Sequence, residues 1–433
     1  MGKIALLFPG QGAQYAGMGT DLYSEFKSAR QVFAEAGDIL GIDLQRICFK
    51  GGLVELNKME YMFPALLTFA VAAFRVYTEE IGIVPHFSAG HSLGEYSSLV
   101  CSGVMNFQDA VRIVHERGRL AREAATGGIG AMTVVNGANK AIVEEECRKV
   151  ARSGRIVSIS CYNSPSQVVI SGHGEAVMQV ENAILAMNSS APQQTPVQVT
   201  PLLTSPPFHC SLMQPTADRL KLILEQYSYR PSRWPVLSNR FARPYKAPGD
   251  VIDNLTHQLV EPVQWQQTMG YLLEHDVDVM IDMGPQAVLT NLAGMYTTAQ
   301  KIHLISFGQK DDRLKLLDLF HSTGKLTAQE PESTILTRCL AEAVCTRNRN
   351  WDNDEYQKKV VEVYEKMERI QDELDEKGAL PTVEQVKQAL EMLYSVFETK
   401  KVPVDEQVKR FKRICAGKGM GDLLPGLNLP GLN

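Results

Sequence analysis

Phe87-Ser88-Ala89-Gly90-His91-Ser92-Leu93-Gly94-Glu95-Tyr96-Ser97-Ser98-Leu99-Val100 reads as a short buried strand, a glycine-flanked turn and the start of a helix. Inside it, Gly90-x-Ser92-x-Gly94 is the pattern that presents a serine as a nucleophile on a sharp strand-to-helix turn. The two glycines let neighbouring backbone approach without a Cβ clash, and the helix that follows offers N–H groups at its N-terminus. The apolar stretch Ile81 to Val84 precedes it. A lone match to this pattern is a weak signal, and the strand and helix on its flanks strengthen it.

Working outward, Lys3 to Phe8 reads as a buried strand broken by Pro9-Gly10-Gln11-Gly12, with helical residues from about Asp21 to Leu40. Leu66 to Glu80 and Asn106 to Ala125 also have helical character, which with the elbow implies an α/β layer around a parallel sheet. From Gly127 the texture changes to strand Ala131 to Val135, helix Lys140 to Arg152, strands Ile156 to Cys161 and Val168 to Ser171, helix Glu175 to Met187 and strand Val197 to Leu202. That β-α-β-β-α-β order is ferredoxin-like. Helices from Ser211 to Gln226 and Asp250 to Gln258 and a strand from Val279 to Met283 return to α/β texture. The expected organisation is therefore α/β: a large domain over 1–126 and 200–325 with a ferredoxin-like subdomain inserted at 127–199.

A polar stretch near Leu326 to Ser333 marks a boundary, beyond which 334–418 reads as a helical extension and 419–433 as a disordered tail. Val360, Val363, Tyr364, Met367, Ile370 and Leu374 form one apolar stripe at helical spacing. Thr382-Val383-Glu384-Gln385 resembles a capping box, and Asp405 is placed to cap a further helix. The stripe must bury against the main domain or a partner.

A chain of 433 residues with net charge −5 has no basic footprint for nucleic acid. Its N-terminal apolar run is too short for a signal peptide or a membrane span, so a cytoplasmic enzyme is expected, with no nucleic acid and no membrane as partners. The cysteines at 48, 101, 147, 161, 210, 339, 345 and 415 form no C-x-x-C pair and no Cys/His cluster, which predicts reduced packing residues and no metal.

A serine nucleophile needs a base, an oxyanion site and something that holds substrate. His209 stands out among nine histidines because Ser205-Pro206-Pro207-Phe208 fixes the chain before it. For any one histidine the plainer alternative is a satisfied core or surface residue. Arg117 lies in the centre of an apolar stripe formed by Ala110, Ile113, Val114, Leu120, Ala121 and Ala124. A guanidinium there needs an anion, from a protein carboxylate or from substrate. The Pro9-Gly10-Gln11-Gly12 turn either reverses the chain or lends N–H groups to an oxyanion.

Together, Phe8-Pro9-Gly10-Gln11-Gly12-Ala13-Gln14, Ala89 to Tyr96, Glu116-Arg117-Gly118, Tyr162-Asn163-Ser164-Pro165, Pro207-Phe208-His209 and Gln258 to Trp265 resemble the malonyl-CoA:acyl carrier protein transacylases, over about Met1 to Gln309. The resemblance implies an α/β-hydrolase-like large domain with a ferredoxin-like subdomain. It implies Ser92 as nucleophile and His209 as base, in a dyad oriented by the main-chain carbonyl of Gln258, with Asn239 close by. Backbone N–H groups of Gln11 and Leu93 would form the oxyanion hole. Arg117 would bind the malonate carboxylate, and Phe208 would disfavour a branched malonyl group. Malonyl-CoA and an acyl carrier protein are the implied partners, and no cofactor is implied. One departure stands out: Phe63 precedes Pro64-Ala65-Leu66-Leu67 where bacterial fatty-acid enzymes commonly have glutamine. The extension points to an acyltransferase acting in trans on a polyketide synthase, docked through its C-terminal helices. The rivals are a hydrolase of the same fold acting on acyl carrier proteins and a non-catalytic docking protein.

Overall fold

The computed structural model describes residues 3–126, 128, 130–151, 154–190, 196–202, 205–296, 302–322, 335–346, 348–350, 352–377 and 381–414. The polar stretch after Leu326 and the tail at 419–433 lie outside the described residues. By its contacts the chain divides into two units, one of residues 1–74 and 84–325, the other of residues 75–83 and 326–433.

The first unit is built on two sheets. Strands β1 (Lys3–Phe8), β2 (Phe87–Gly90), β3 (Ala131–Asn136), β4 (Val157–Ser164), β5 (Gln167–Gly172), β6 (Gln198–Pro201), β7 (Val236–Leu237), β8 (Val277–Asp282) and β9 (His303–Ser306) follow one another along the chain. The larger sheet has the order β7-β2-β1-β8-β9, and every pairing in it is parallel. Its central strand β1 is apolar from Ile4 to Phe8 and fully buried, as expected of a strand covered on both faces. The smaller sheet has the antiparallel order β4-β5-β3-β6, and helices Lys140–Ala151 and Gly174–Ser190 close its core through Val143, Cys147, Val180 and Ile184.

The helix expected from Leu66 begins earlier, at Met59, and runs to Glu80 with Pro64 inside it. Proline removes one intrahelical bond and pushes against the carbonyl four residues back, here that of Glu60. The freed Glu60 oxygen instead accepts the Nδ1–H of His115, 2.8 Å away on the helix Phe107–Thr126. The Met59–Glu80 helix is long and apolar enough to cross a membrane, but most of its apolar stretch is buried inside the protein, which marks a core helix. The helical stretch expected from Asp21 to Leu40 is two helices, Thr20–Glu25 and Lys27–Leu40, because Phe26 adopts an extended backbone between them.

In the second unit Val360, Met367 and Leu374 bury against Leu336, Leu390, Leu393, Phe397 and Phe411, with Val363, Tyr364 and Ile370 at the margin. The apolar stripe therefore finds its partners among the C-terminal helices themselves. Thr382 and Gln385 form the capping box at the start of helix Val383–Thr399. Asp405 lies inside the first turn of helix Val404–Ile414, where a carboxylate favours the positive end of the helix dipole. The six described cysteine side chains, Cys48, Cys101, Cys147, Cys161, Cys210 and Cys339, are buried and form no disulfide with one another.

The fold depends on backbone contact at the elbow. A Cβ on Gly94 would overlap the Phe8 carbonyl at the end of β1, whereas one on Gly12 would meet nothing. Gly94→Ala should therefore cost about 3 kcal/mol or more of stability. Gly12→Ala, which only strains a positive φ, should cost about 1 kcal/mol. Urea unfolding midpoints check the difference, and equal midpoints would contradict this packing.

Candidate active site

Parallel pairing sets Phe8 of β1 beside Gly90 of β2, so the turn after each strand emerges at the same carboxyl edge, where open α/β sheets place their sites. The end of β7 brings Ser238 and Asn239 to that edge as well. Ser92 sits at the tip of the elbow with φ 51°, and helix Gly94–Cys101 follows. Glycine is needed at position 10 for close approach, since a Cβ there would stand 2.5 Å from the His91 carbonyl oxygen and 3.3 Å from the Leu93 nitrogen.

His209 reaches this edge from another part of the chain. Ser171 Oγ of β5 donates to the Phe208 carbonyl at 2.9 Å, and the His209 N–H donates to the Leu259 carbonyl at 2.8 Å. These bonds fix His209, which also has a positive φ of 62°, with its Nε2 2.9 Å from Ser92 Oγ. Its Nδ1 lies 2.6 Å from the Gln258 carbonyl oxygen. A carbonyl only accepts, so Nδ1 carries the proton and Nε2 offers its lone pair to the serine hydroxyl. Burial is the main reason that the His209 pKa falls to about 3; the Gln258 hydrogen bond opposes the shift and the Arg117 charge adds to it. The imidazole is thus a neutral base at physiological pH.

The main chain of Ser92 is held on both sides. Its N–H donates to Asn239 Oδ1 at 2.6 Å, and its carbonyl accepts from Gln258 Nε2 at 2.9 Å. Asn239 Nδ2 also donates to the Gly90 carbonyl. Glu95, which the sequence reading did not single out, ties these groups together: it accepts from Gln258 Nε2 at 2.6 Å, from the Asn239 N–H at 3.2 Å and from the Tyr245 hydroxyl. Burial pushes its pKa up to about 7, against the three donors. His91 turns to the smaller sheet, its Nε2 2.8 Å from Asn163 Oδ1.

Arg117 is 1% exposed, and none of its three side-chain nitrogens has an acceptor among the described residues. A protein carboxylate as its direct partner is therefore absent there. The guanidinium instead lies among ring faces: Phe63 at 4.8 Å, Phe208 at 5.1 Å and Tyr96 at 5.5 Å. Each such contact is worth roughly 0.5–2 kcal/mol, whereas an unpaired buried ion costs several. The balance calls for an anion. Backbone N–H groups of Gln11 and Leu93 donate no hydrogen bond among the described residues, and the Gly10 contact brings their two turns together. No group of three His, Cys, Asp or Glu side chains placed to hold a metal occurs among the described residues.

Residues 5–329 match the acyl transferase domain family. The chain is 33% identical over 414 residues to a malonyl CoA-acyl carrier protein transacylase of Bacillus subtilis, covering 95% of this chain and all of the relative, so the likeness extends into the C-terminal helices. It is 41% identical over 293 residues to the corresponding protein of Escherichia coli K12, covering 67% of this chain and 92% of that one. Among solved structures it resembles a malonyl-transacylase in complex with its type II PKS acyl-carrier protein, at 38% identity and a TM-score of 0.68 over 73% of this chain and 99% of that one. It also resembles FabD from Acinetobacter baumannii, at 36% identity and a TM-score of 0.68 over 74% of this chain and 99% of that one.

A base with the lowered pKa of His209 stays deprotonated through mildly acidic conditions. Covalent labelling of Ser92 by a fluorophosphonate should show no acid limb between pH 5 and pH 8. An ordinary imidazole would lose rate as pH falls through about 6.5, and that profile would show that the base titrates as if exposed.

Proposed function

We propose how the chemistry is divided among these residues in a chain that belongs to the acyl transferase family and is a malonyl-CoA:acyl carrier protein transacylase. The observation that carries the proposal is the buried Arg117 without an acceptor, packed against Phe208 beside the Ser92–His209 pair. Ser92 Oγ attacks the malonyl thioester carbonyl while His209 Nε2 takes its proton. The carbon–sulfur bond then breaks, and His209 returns the proton to the departing coenzyme A sulfur. In the second half the phosphopantetheine thiol of the carrier protein gives its proton to His209 and attacks the malonyl-Ser92 ester, and Ser92 leaves as a hydroxyl.

The N–H groups of Gln11 and Leu93 stabilise the oxyanion in both halves. Gln258 holds the His209 tautomer through its carbonyl, and with Asn239 it fixes the Ser92 backbone. Arg117 takes the free carboxylate of malonate as a two-pronged pair. That pairing offsets the positive charge that depresses His209, so the base strengthens when the correct acyl group is bound. Phe208 narrows the pocket against an α-branch. Every bond change is accounted for by Ser92 and His209, so no metal or redox cofactor is needed.

A hydrolase acting on neutral acyl groups has no use for an unpaired buried cation, and a scaffold has no use for the aligned Ser92 and His209. The buried, unbridged cysteines fit a reducing, cytoplasmic setting in fatty acid or polyketide synthesis. The C-terminal helices carry a core of their own and none of these residues, so their part in the reaction lies outside the acyl transfer itself.

Mass measurement of the intact protein after incubation with acyl-CoA donors tests the scheme. Ser92→Ala should form no acyl-enzyme, and His209→Ala should form it roughly two to four orders of magnitude more slowly. Arg117→Ala should lose malonyl loading and gain relative acetyl loading. A malonyl adduct persisting on Ser92→Ala would remove the nucleophile from the scheme, and methylmalonyl loading as fast as malonyl loading would remove the steric role of Phe208.

A further inference from the structure

We infer that Gln14 and Gln286 are positioning residues for the oxyanion hole: their side-chain amides hold the outer end of the turn after β1 and leave the Gln11 N–H as its free donor. The inference rests on the reading of Gln11 as an oxyanion donor. The inner end of that turn is fixed by backbone packing. A Cβ on Gly10 would stand 2.5 Å from the His91 carbonyl oxygen, and one on Gly284, in the loop after β8, would stand 2.1 Å from the Pro9 ring. Past Gln11 this packing ends, since Gly12 has φ 103° and a Cβ there would meet nothing within 4 Å. Glycine takes φ of either sign with little penalty, so the Gly12 backbone does not by itself decide where its N–H points.

Side-chain amides decide it. Gln14 Oε1 accepts the Gly12 N–H at 2.8 Å, and Gln14 Nε2 donates at 2.9 Å to Oδ1 of Asn57, the residue that ends helix Leu53–Leu56. Gln286 Nε2 donates to the carbonyls of Ala13 and Gln14, at 3.2 and 3.4 Å. Gln286 is set in turn by Asp282 at the end of β8. The buried carboxylate of Asp282 accepts the N–H groups of Gly284 at 2.9 Å and Leu289 at 2.7 Å, on either side of Gln286 in the chain. The Ala13 N–H returns to the Gly10 carbonyl at 3.4 Å. Of the N–H groups from Gln11 to Ala13, that of Gln11 alone donates to no acceptor among the described residues. A donor helps an oxyanion most when it is in place before charge develops. Without the Gln14 oxygen the Gly12 peptide is free to rotate, and Gln11, joined to that peptide, loses its fixed direction.

The experiment uses the full-length chain and follows single-turnover acylation of Ser92 by intact mass over a range of malonyl-CoA and acetyl-CoA concentrations. Gln14→Leu should lower the maximal rate roughly tenfold, a part of the roughly hundred- to thousandfold that a whole oxyanion donor is worth. Gln286→Ala should lower it roughly threefold, because its hydrogen bonds are longer. In both variants the half-saturating concentration and the malonyl-to-acetyl ratio should stay within about twofold of the wild type. The oxyanion forms on the thioester carbonyl of either donor, and only in the transition state. A maximal rate unchanged in Gln14→Leu, or a loss carried by half-saturation or by the donor ratio, would overturn the inference. Gln11→Pro, which removes the N–H itself, should lose more than either variant. If Gln11→Pro acylates at the wild-type rate, the reading of Gln11 is what fails; if it loses the rate while Gln14→Leu keeps it, the inference about Gln14 and Gln286 alone is overturned. Should Gln14→Leu fail to fold by circular dichroism, Gln286→Ala decides alone: a loss of about threefold confined to the maximal rate supports the inference, and an unchanged rate or a raised half-saturating concentration overturns it.

Discussion

A serine with a positive φ persists only if its peptide groups are held from outside the turn, and the active edge of this protein depends on that constraint. Asn239 accepts the Ser92 N–H and Gln258 donates to the Ser92 carbonyl. The same Gln258 uses its own main-chain carbonyl to orient His209. One residue thus sets both the nucleophile's backbone and the base's tautomer. A displacement of Gln258 would disturb the two together, and with them the 2.9 Å approach of the hydroxyl and the imidazole.

Behind this pair lies Glu95, a carboxylate with three donors and, among the described residues, no cation in contact. Its burial raises the cost of charge, and its donors lower it again, leaving a group poised near neutrality. Arg117 is the opposite case, a cation with ring faces and no acceptor. The two buried charges act on each other through space without a hydrogen bond. On the proposed scheme, positioning of the Ser92–His209 pair and recognition of the substrate consequently fall to separate ions.

Local pattern made much of this legible. Strand Lys3–Phe8 and helix Asp250–Gln258 have the bounds that their apolar runs and flanking residues indicate, and the ferredoxin-like order follows from period changes along 131–201. The elbow, the rigid Pro206-Pro207 approach to His209 and the out-of-place Arg117 are each visible in a few consecutive residues. What was not legible depends on distant partners. The start of the Met59–Glu80 helix is hidden by Pro64, which frees the Glu60 carbonyl for His115, 55 residues away from Glu60. Glu95 reads as an ordinary first-turn acid, and only the approach of Asn239, Tyr245 and Gln258 makes it an anchor. The stripe from Val360 to Leu374 has the right spacing for burial, but spacing does not say that its cover comes from its own neighbours in the chain.

The buried thiols bear on a hazard peculiar to this chemistry. Acyl thioesters exchange readily with other thiols, so an enzyme that handles them risks acylating itself in the wrong place. Burial drives Cys48, Cys147 and Cys161 up to about 12 and raises Cys210, the immediate neighbour of His209. At a pKa near 12 the thiolate fraction at neutral pH is on the order of one in a hundred thousand, and only the thiolate competes as a nucleophile. On the proposed scheme the protein thus keeps the Cys210 sulfur next to His209 in a form that competes poorly with Ser92 for the acyl group.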